Sequence, residues 1–472
     1  MTWVSPYMTH PPLSFWLGSL WLRWGPPGGG LKSYRQFNAL LGIVSLALMF
    51  WLGWRVGGLR LAVLAGLLGM FETTHLQFHR MGFPYNLYQV EALAVFLLIV
   101  FYLDAPRMKR LLPAVVVASL AAITVYYAVA LWLVVGLAVL CERKWRQIPT
   151  LALLPFSLVV VLAASAMTHG EGFWSDLARF REKAGAGDLV TTLRHWKELF
   201  ALGWFVLLGF AGWLTIRDRR VRWLGLAALL AMAEMVLRKE DTIILFVNYP
   251  IIPFWPFVLF GLAALLDFAF RGFLKPVPIF LVDWLGFQIA RESVFKLFRL
   301  VLILVLVGFV SWGLIHWLKT DLRAISEQFP SRLEFAELSA PDDAKAAAEF
   351  VNERIAPDEL VIATEAMWPF LKGRFASPPQ ALAYVGKKCD FYDYDIPKER
   401  FTYDCDPAHA RFVIIDNISD NVMKTPDGSP HEAWRNYLRD LTANSSPVFK
   451  QRVYRVYEFP QKSVAEDQAT SR

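Results

Sequence analysis

The chain has 472 residues, of which 56% are hydrophobic and 19% are charged, against about 25% charged residues in an average soluble domain. The apolar residues are concentrated in long runs before residue 318, which excludes an ordinary soluble protein. The formal net charge of +7 does not indicate a nucleic-acid partner, because the basic residues lie in short loops between these runs. The sequence has no P-loop, GxGxxG, HExxH or CxxC motif, which argues against a pump with its own nucleotide site.

Residues 1–36 are predicted to form an outward loop and an interfacial helix. A signal peptide has a basic segment followed by an apolar segment, and residues 1–36 do not show this order. Leu13–Trp24 is apolar but too short to cross a bilayer, and its three tryptophans favour a helix lying along the membrane surface. The loop charges place this N-terminus outside. We therefore expect that a first transmembrane helix is missing from the sequence.

Residues 37–318 are predicted to form an all-α polytopic membrane domain. A span needs roughly 20 apolar residues, and helices satisfy the backbone groups in lipid. The stretch 111–141 is too long for one span, so we interpret it as two short helices meeting near Thr124. The fold class is thus about ten transmembrane helices plus an interfacial helix. The other predicted spans are 38–56, 60–76, 85–104, 148–167, 199–216, 223–237, 249–268 and 297–318.

Basic loops alternate along the chain and define the cytoplasmic side. They contain Arg55 and Arg60; Arg107, Lys109 and Arg110; Arg143, Lys144 and Arg146; Arg217, Arg219, Arg220 and Arg222; Arg271 and Lys275. Loops 77–84, 168–198 and 238–248 then face outward, although 168–198 also carries basic residues. We expect a bacterial inner-membrane protein whose C-terminal domain is periplasmic or extracellular.

Residues 319–460 are predicted to form a small soluble α/β domain, followed by a disordered tail at 461–472. A helix is expected over 342–355, with Arg354 in its last turn, and strands over 360–364, 411–416 and 453–459. Cys389 and Cys405 both fall in this domain. Their spacing leaves open whether they form a disulfide.

Ionisable groups inside a membrane are functional candidates by default. Three glutamates, Glu72, Glu91 and Glu234, lie at the outer ends of predicted spans. Other polar groups at a similar depth are His75, His79, Arg80, Arg238, Lys239, Glu240 and Asp241. We therefore place the site at the outer face.

Each of these signals has an alternative interpretation. Glu72, His75 and His79 share one helix face and are candidate metal ligands, yet polar residues at a helix end explain them equally well. Arg80 either binds a phosphate or marks the membrane interface. Glu91 either pairs with an arginine or has a functional role.

Several segments resemble the GT-C superfamily of membrane glycosyltransferases, in particular the protein-mannosyltransferase-like and aminoarabinose-transferase-like enzymes of glycosyltransferase family 39. The segment Thr9-His10-Pro11-Pro12-Leu13 is similar to their HPPL-type motif, and Gly25 and Arg35 follow in the expected order. The segments that complete the resemblance are Arg80-Met81-Gly82-Phe83-Pro84, the broken helix pair 111–141, with Thr124-Val125 at the break, and Tyr249-Pro250-Ile251-Ile252-Pro253.

The resemblance implies an inverting transferase that uses a polyprenyl-phosphate-linked sugar donor and a protein, lipid or glycan acceptor. Membrane lipid is a further partner, and the soluble domain would hold the acceptor. The family's catalytic acid precedes the HPPL-type motif, but Met1–His10 contains no acid, so Glu72 and Glu91 are candidates for the base on depth alone. The donor phosphate would be bound by His10, Arg35, Arg80, Arg238, Lys239 and Tyr249.

Two questions stay open at this point. The cofactor is unknown, with a divalent metal as the option that Glu72, His75 and His79 offer. The alternative function is a non-enzymatic protein, such as a lipid or glycan transporter or an assembly factor, on a degenerate GT-C scaffold.

Overall fold

The computed structural model divides the chain into two compact units, one helical and one C-terminal. The helical unit contains the elements up to Phe273, and the C-terminal unit contains the elements from Pro341 onward. The structure describes residues 13–24, 30–71, 79, 84–169, 204–237, 251–273, 308, 315, 341–364, 367, 370–387, 398–425, 427 and 432–459.

Ten α-helices lie in the described part of the helical unit. They are α1 Leu13–Trp24, α2 Gly30–Gly57, α3 Leu59–Phe71, α4 Pro84–Asp104, α5 Met108–Thr124, α6 Val129–Cys141, α7 Leu153–His169, α8 Trp204–Leu214, α9 Arg219–Leu237 and α10 Ile251–Phe273.

Within the described ranges, four apolar helical segments are long enough to cross a membrane, and the protein is an integral membrane protein. They are Ser33–Gly57, Pro84–Asp104, Trp145–Ala164 and Pro253–Arg271. Leu59–Met70 and Val129–Cys141 are shorter apolar helices. Of the predicted span 297–318, the structure describes only residues 308 and 315.

Ion pairs join the helix ends that carry the basic loops. Arg55 at the end of α2 pairs with Asp104 at the end of α4. Arg60 on α3 and Arg271 on α10 both pair with Asp267, which is fully buried. These helix ends therefore lie together, as the predicted alternation of the loops requires. We call this the basic end of the helical unit, and the opposite end the cluster end.

Exposed tryptophans mark the membrane interface at the basic end, where amphipathic rings are favoured. They are Trp51, Trp54, Trp145 and Trp223. Helix α1 has the predicted bounds and exposes Trp16 and Trp24, while the Nε1–H of Trp21 donates to the Ser33 carbonyl of α2 at 2.9 Å. The predicted interfacial helix is thus a helix packed on α2.

The predicted break near Thr124 is confirmed. Helix α5 ends at Thr124, Val125 is extended with φ −148° and ψ 129°, and a 3-10 turn over Tyr126–Ala128 leads into α6. The β-branched residues Thr124 and Val125 are poorly suited to a helix interior. The break leaves the Thr124 side chain buried at the cluster end.

Helices α8 and α10 approach at backbone distance because both carry glycine at the contact. A Cβ on Gly212 would lie 1.7 Å from the Gly261 carbonyl oxygen, and a Cβ on Gly261 would lie 2.0 Å from that of Gly209. Trp213 fills the adjoining space, and its Nε1–H donates to the Phe257 carbonyl at 2.8 Å. Small residues at a helix contact in lipid allow this packing.

The C-terminal unit is a five-stranded sheet with helices on both faces. Its elements are α11 Pro341–Asn352, β1 Leu360–Ile362, β2 Arg374–Ala376, α12 Pro378–Tyr384, β3 Ala410–Ile415, α13 Asn417–Met423, α14 Glu432–Asn444, β4 Phe449–Gln451 and β5 Tyr454–Glu458. The strand order is β2-β1-β3-β5-β4, with parallel pairing among β2, β1 and β3 and antiparallel pairing of β5 with β3 and β4.

Alternating strand residues build two separate cores. Val361 and Phe412 pack with α11 on one face, and Ile362 and Val413 pack with α12 and α14 on the other. The predicted α/β class and the three predicted strands are confirmed. The prediction that Arg354 lies in the last turn of a helix is wrong. Helix α11 ends at Asn352, and a hydrogen-bonded turn continues to Ile355, just before Ala356, where Pro357 disfavours helical backbone.

Candidate functional site

Of the two predicted catalytic candidates, Glu72 and Glu91, the structure describes Glu91. It lies seven residues into α4, about 10 Å below the start of that helix at the cluster end. The residue is 7% exposed. A carboxylate at such a position is costly unless it is hydrogen-bonded, so its partners decide what it can do.

Thr124 holds one oxygen of this carboxylate. The Thr124 hydroxyl lies 2.9 Å from Glu91 Oε1 and 3.2 Å from the Leu120 carbonyl, and it can donate to either. Glu91 Oε2 has no hydrogen-bond partner among the described residues, and neither has the hydroxyl of Tyr88, one turn earlier on α4. Glu91 is thus fixed at one oxygen and has the other available for a proton.

A second polar cluster joins α2 to α4 at the same end. Asn86 Nδ2 donates to Asn38 Oδ1 at 2.9 Å, and Asn38 Nδ2 donates to the Tyr34 carbonyl at 2.9 Å. His79 lies between the helices, with Nδ1 3.3 Å from the Asn38 carbonyl and Nε2 3.1 Å from Gln89 Nε2. We call Asn38, His79, Asn86 and Gln89 the amide–histidine cluster.

This cluster is mainly structural. Polar side chains that bond across helices in lipid stabilise the helix pair by about 0.6–2 kcal/mol per contact. A Cβ on Gly42 would lie 2.8 Å from the His79 ring, so glycine makes room for the ring against α2. The cluster fixes the start of α4, and therefore the depth at which Glu91 lies.

Of the six residues predicted to bind the donor phosphate, the structure describes Arg35. It lies on α2 three residues before Asn38, and its side chain is exposed. Asn38 is buried and lies about 4.5 Å further along α2 than the exposed Arg35. No described residue pairs with Arg35, which is thus an exposed cation about one turn from the amide–histidine cluster.

Most other predicted site residues lie outside the described residues. They are His10, Glu72, His75, Arg80, Arg238, Lys239, Tyr249, Glu240 and Asp241. Glu234 lies on α9, near its cluster-end terminus, and its side chain is not described. The structure therefore places Glu91, His79 and Arg35 at one end of the bundle.

The metal prediction stays a prediction. Glu72 and His75 are outside the described residues, and within the described ranges no three histidine, cysteine or acidic side chains are grouped as metal ligands. Both ring nitrogens of His79 lie within hydrogen-bond distance of Asn38 and Gln89, so His79 serves the helix contact in this arrangement.

The C-terminal unit has its own buried polar pair where parallel strands β1 and β3 end. The Thr364 hydroxyl donates to Asp416 Oδ2 at 2.5 Å, and Asp416 Oδ1 accepts from the Ser419 N–H at 3.0 Å, capping α13. Burial raises the pKa of Asp416, although these hydrogen bonds oppose the shift. Cys405 is buried, and Cys389 lies outside the described residues, so the question of a disulfide between them is not tested.

Sequence reasoning missed the amide–histidine cluster apart from His79, and it assigned Thr124 only to the helix break. The signal was present in Asn86 and Gln89, two amides three residues apart at the start of an otherwise apolar helix. A search for ionisable groups overlooks amides, although a buried amide in a membrane also needs a partner.

The fold is similar to solved structures of ArnT from Cupriavidus metallidurans. The structure with undecaprenyl phosphate matches with a TM-score of 0.58 and 14% sequence identity over 96% of this chain and 90% of that chain. The apo structure matches with a TM-score of 0.55 and 15% identity over 96% and 89%. No family model matches the sequence, and no curated protein sequence matches it.

These matches confirm the predicted fold class: a helical membrane domain followed by a small domain with a sheet. At this identity the likeness concerns the fold. The residues at the cluster end that bear on activity are Glu91, Thr124 and Arg35.

Proposed function

We propose that this chain is a membrane glycosyltransferase that moves a sugar from a polyprenyl-phosphate donor to a protein, lipid or glycan acceptor at the cluster end. The observation that carries the proposal is Glu91, a buried carboxylate held by Thr124 through one oxygen, with the other oxygen unpartnered among the described residues. A carboxylate oxygen without a hydrogen-bond partner can accept a proton, as a general base must.

The reaction requires one proton transfer. An acceptor hydroxyl attacks the anomeric carbon of the donor sugar, and a new carbon–oxygen bond forms. The bond from that carbon to the phosphate oxygen breaks, so polyprenyl phosphate leaves with the bonding electrons. The hydroxyl proton passes to Glu91 Oε2, and later returns to solvent.

The leaving phosphate needs cations that stabilise its charge in the transition state. Arg35 is a described cation at the cluster end, and His10, Arg80, Arg238, Lys239 and Tyr249 complete the proposed phosphate-binding set. The ArnT structure bound to undecaprenyl phosphate supports a lipid phosphate as the donor's carrier. By the positive-inside rule the basic end is cytoplasmic, so the cluster end faces outward from a bacterial inner membrane.

The first test measures sugar transfer by the full chain in proteoliposomes with a panel of polyprenyl-phosphate-linked sugars. We expect Glu91→Gln to lower the turnover number by at least about a hundredfold, since general bases contribute that much or more. The donor's KM should change little, because Gln keeps the shape of the side chain.

The matched control is Asp104→Asn, which removes a carboxylate from the other end of α4. Asp104 forms an exposed ion pair with Arg55, and such pairs contribute about 1 kcal/mol or less. This variant should keep nearly wild-type turnover. Equal turnover in Glu91→Gln and wild type would exclude Glu91 as the base. Donor binding without transfer of any sugar in the panel would favour the non-enzymatic alternative.

A further inference from the structure

Three loops converge at the basic end. Gln147 of the loop after α6 accepts from the Tyr102 hydroxyl at 2.7 Å and donates to the Pro106 carbonyl at 3.4 Å. Arg220 at the start of α9 donates to the Leu103 carbonyl at 3.1 Å and to Glu142 at 2.8 Å. Residues 105–110, 142–147 and 216–222 therefore form one surface, which we call the basic loop surface.

This surface concentrates the positive charge of the protein. Its three loops contain ten lysines and arginines and two acidic residues, Glu142 and Asp218. The whole chain carries a formal net charge of only +7. The remainder of the sequence is therefore close to neutral, and the excess charge lies in these loops.

Some of these cations have structural partners. Arg220 pairs with Glu142 and Asp218, Arg222 donates to the Ile216 carbonyl, and Arg110 donates to the Phe101 carbonyl. Seven others are exposed and form no ion pair or side-chain hydrogen bond with the rest of the described chain. They are Arg107, Lys109, Arg143, Lys144, Arg146, Arg217 and Arg219.

Exposed apolar side chains lie beside these cations. Trp145, which is 63% exposed, stands between Lys144 and Arg146 on the 3-10 helix Trp145–Ala152, a segment without buried residues. Ile148 on this segment and Met108 in the neighbouring loop are also exposed. A soluble anion such as inorganic phosphate would leave these apolar side chains in water. The region where phosphate headgroups meet acyl chains accommodates both kinds of group.

We propose that the basic loop surface binds the headgroups of anionic phospholipids in the leaflet at the basic end, with Trp145 inserted at the acyl boundary. The seven cations supply charge and hydrogen-bond donors for lipid phosphates, and basic clusters at a membrane surface gain affinity with each added cation. This site is independent of sugar transfer at the cluster end.

The experiment uses the full chain, purified and delipidated in detergent. Native mass spectrometry follows adducts with phosphatidylglycerol, which is anionic, and with phosphatidylcholine, which is zwitterionic. The test variant carries Arg107→Gln, Arg143→Gln, Lys144→Gln and Arg146→Gln. The control removes the same charge from four exposed lysines of the C-terminal unit, with Lys372→Gln, Lys387→Gln, Lys424→Gln and Lys450→Gln. The thermal unfolding midpoint checks that both variants fold.

We expect wild type and control to prefer phosphatidylglycerol, and the test variant to bind it at least about tenfold more weakly. An unchanged preference in the folded test variant would overturn the proposal, and so would equal binding of both lipids by wild type. Displacement of phosphatidylglycerol by equimolar inorganic phosphate or by a short oligonucleotide would also overturn it, since the surface would then recognise a soluble anion.

Discussion

Glu91 and Thr124 are 33 residues apart, yet they form one polar unit inside the helical bundle. A single hydroxyl hydrogen bond does not satisfy a buried carboxylate, which has about four lone-pair sites. An acid under these conditions lowers the stability of the helical unit, which makes Glu91 a candidate functional residue. Asn38, Asn86 and Gln89 differ from it, since their contacts with each other and with His79 stabilise the packing of α2 on α4.

Asp416 gives a prediction for pH at the residue scale. Its pKa in the folded state is raised by burial, so the folded C-terminal unit binds this proton more tightly than the unfolded chain does. Its contribution to stability is therefore present below the unfolded pKa of about 3.9 and is lost as pH rises through the raised folded value. Asn at this position still accepts from Ser419 and cannot ionise.

We expect the free energy of unfolding of Asp416→Asn to exceed that of wild type by a margin that grows as pH rises. This margin grows by at most about 1.4 kcal/mol per pH unit. Hydrogen-exchange protection of the β3 amides, corrected for intrinsic exchange, measures this difference. Asp440→Asn, an exposed change on α14, should follow wild type at every pH. A constant difference between Asp416→Asn and wild type across the pH range would contradict the assignment.

At the residue scale, the sequence alone identified ionisable side chains that lie within apolar runs. Glu91 was recognisable because acids are rare within apolar runs. Its hydrogen bond to Thr124 was not recognisable, because it depends on how α4 packs against the end of α5. The amide–histidine cluster was missed because Asn and Gln carry no charge.

At the element scale, the contact between α8 and α10 depends on backbone approach. No flexible side chain separates Gly212 from the Gly261 carbonyl, so an added methyl group forces the helices apart. Overpacking of this kind typically costs about 1–3 kcal/mol. The Trp213 and Thr215 hydrogen bonds to α10 would lengthen as the helices separate.

We expect Gly212→Ala to lower the thermal unfolding midpoint of the purified protein in detergent. The control is Gly136→Ala on α6, where an added Cβ meets nothing within 4 Å. That change should be neutral or stabilising by up to about 1 kcal/mol, since alanine is the better helix former. Equal midpoints for the two variants would show that α8 and α10 are not in close contact.

Several elements were predictable because a local pattern determines them. The bounds of α1 and α4 and the break at Thr124 follow from the lengths of the apolar runs and from β-branched residues. Strands β1, β2 and β4 have three residues each, but only β1, Leu-Val-Ile, is wholly apolar with β-branched residues. Strands β2 and β4 contain charged residues and no β-branched residue, so they were not recognised. Helix α14 was missed although Trp434, Leu438 and Leu441 lie on one buried face, because the intervening residues are strongly polar.

At the scale of the whole helical unit, the two ends have different chemistry. The basic end combines interhelical ion pairs, exposed cations and tryptophans, whereas the cluster end combines buried polar groups with Arg35. Loop charges alone predicted which helix ends lie together. The contacts of α4 with α2 through Asn86 and with α5 through Glu91 needed the structure, because contacts between helices distant in sequence leave no periodic signal.

The measurement that tests the central claim most directly is a structure of the full chain with a phosphonate analogue of a polyprenyl-phosphate sugar, which cannot transfer its sugar. We predict that the phosphonate lies at the cluster end with Arg35 among its ligands, and that the anomeric carbon faces Glu91 Oε2. An analogue bound at the basic end, or at the cluster end with its sugar directed away from Glu91, would contradict the proposed transferase site.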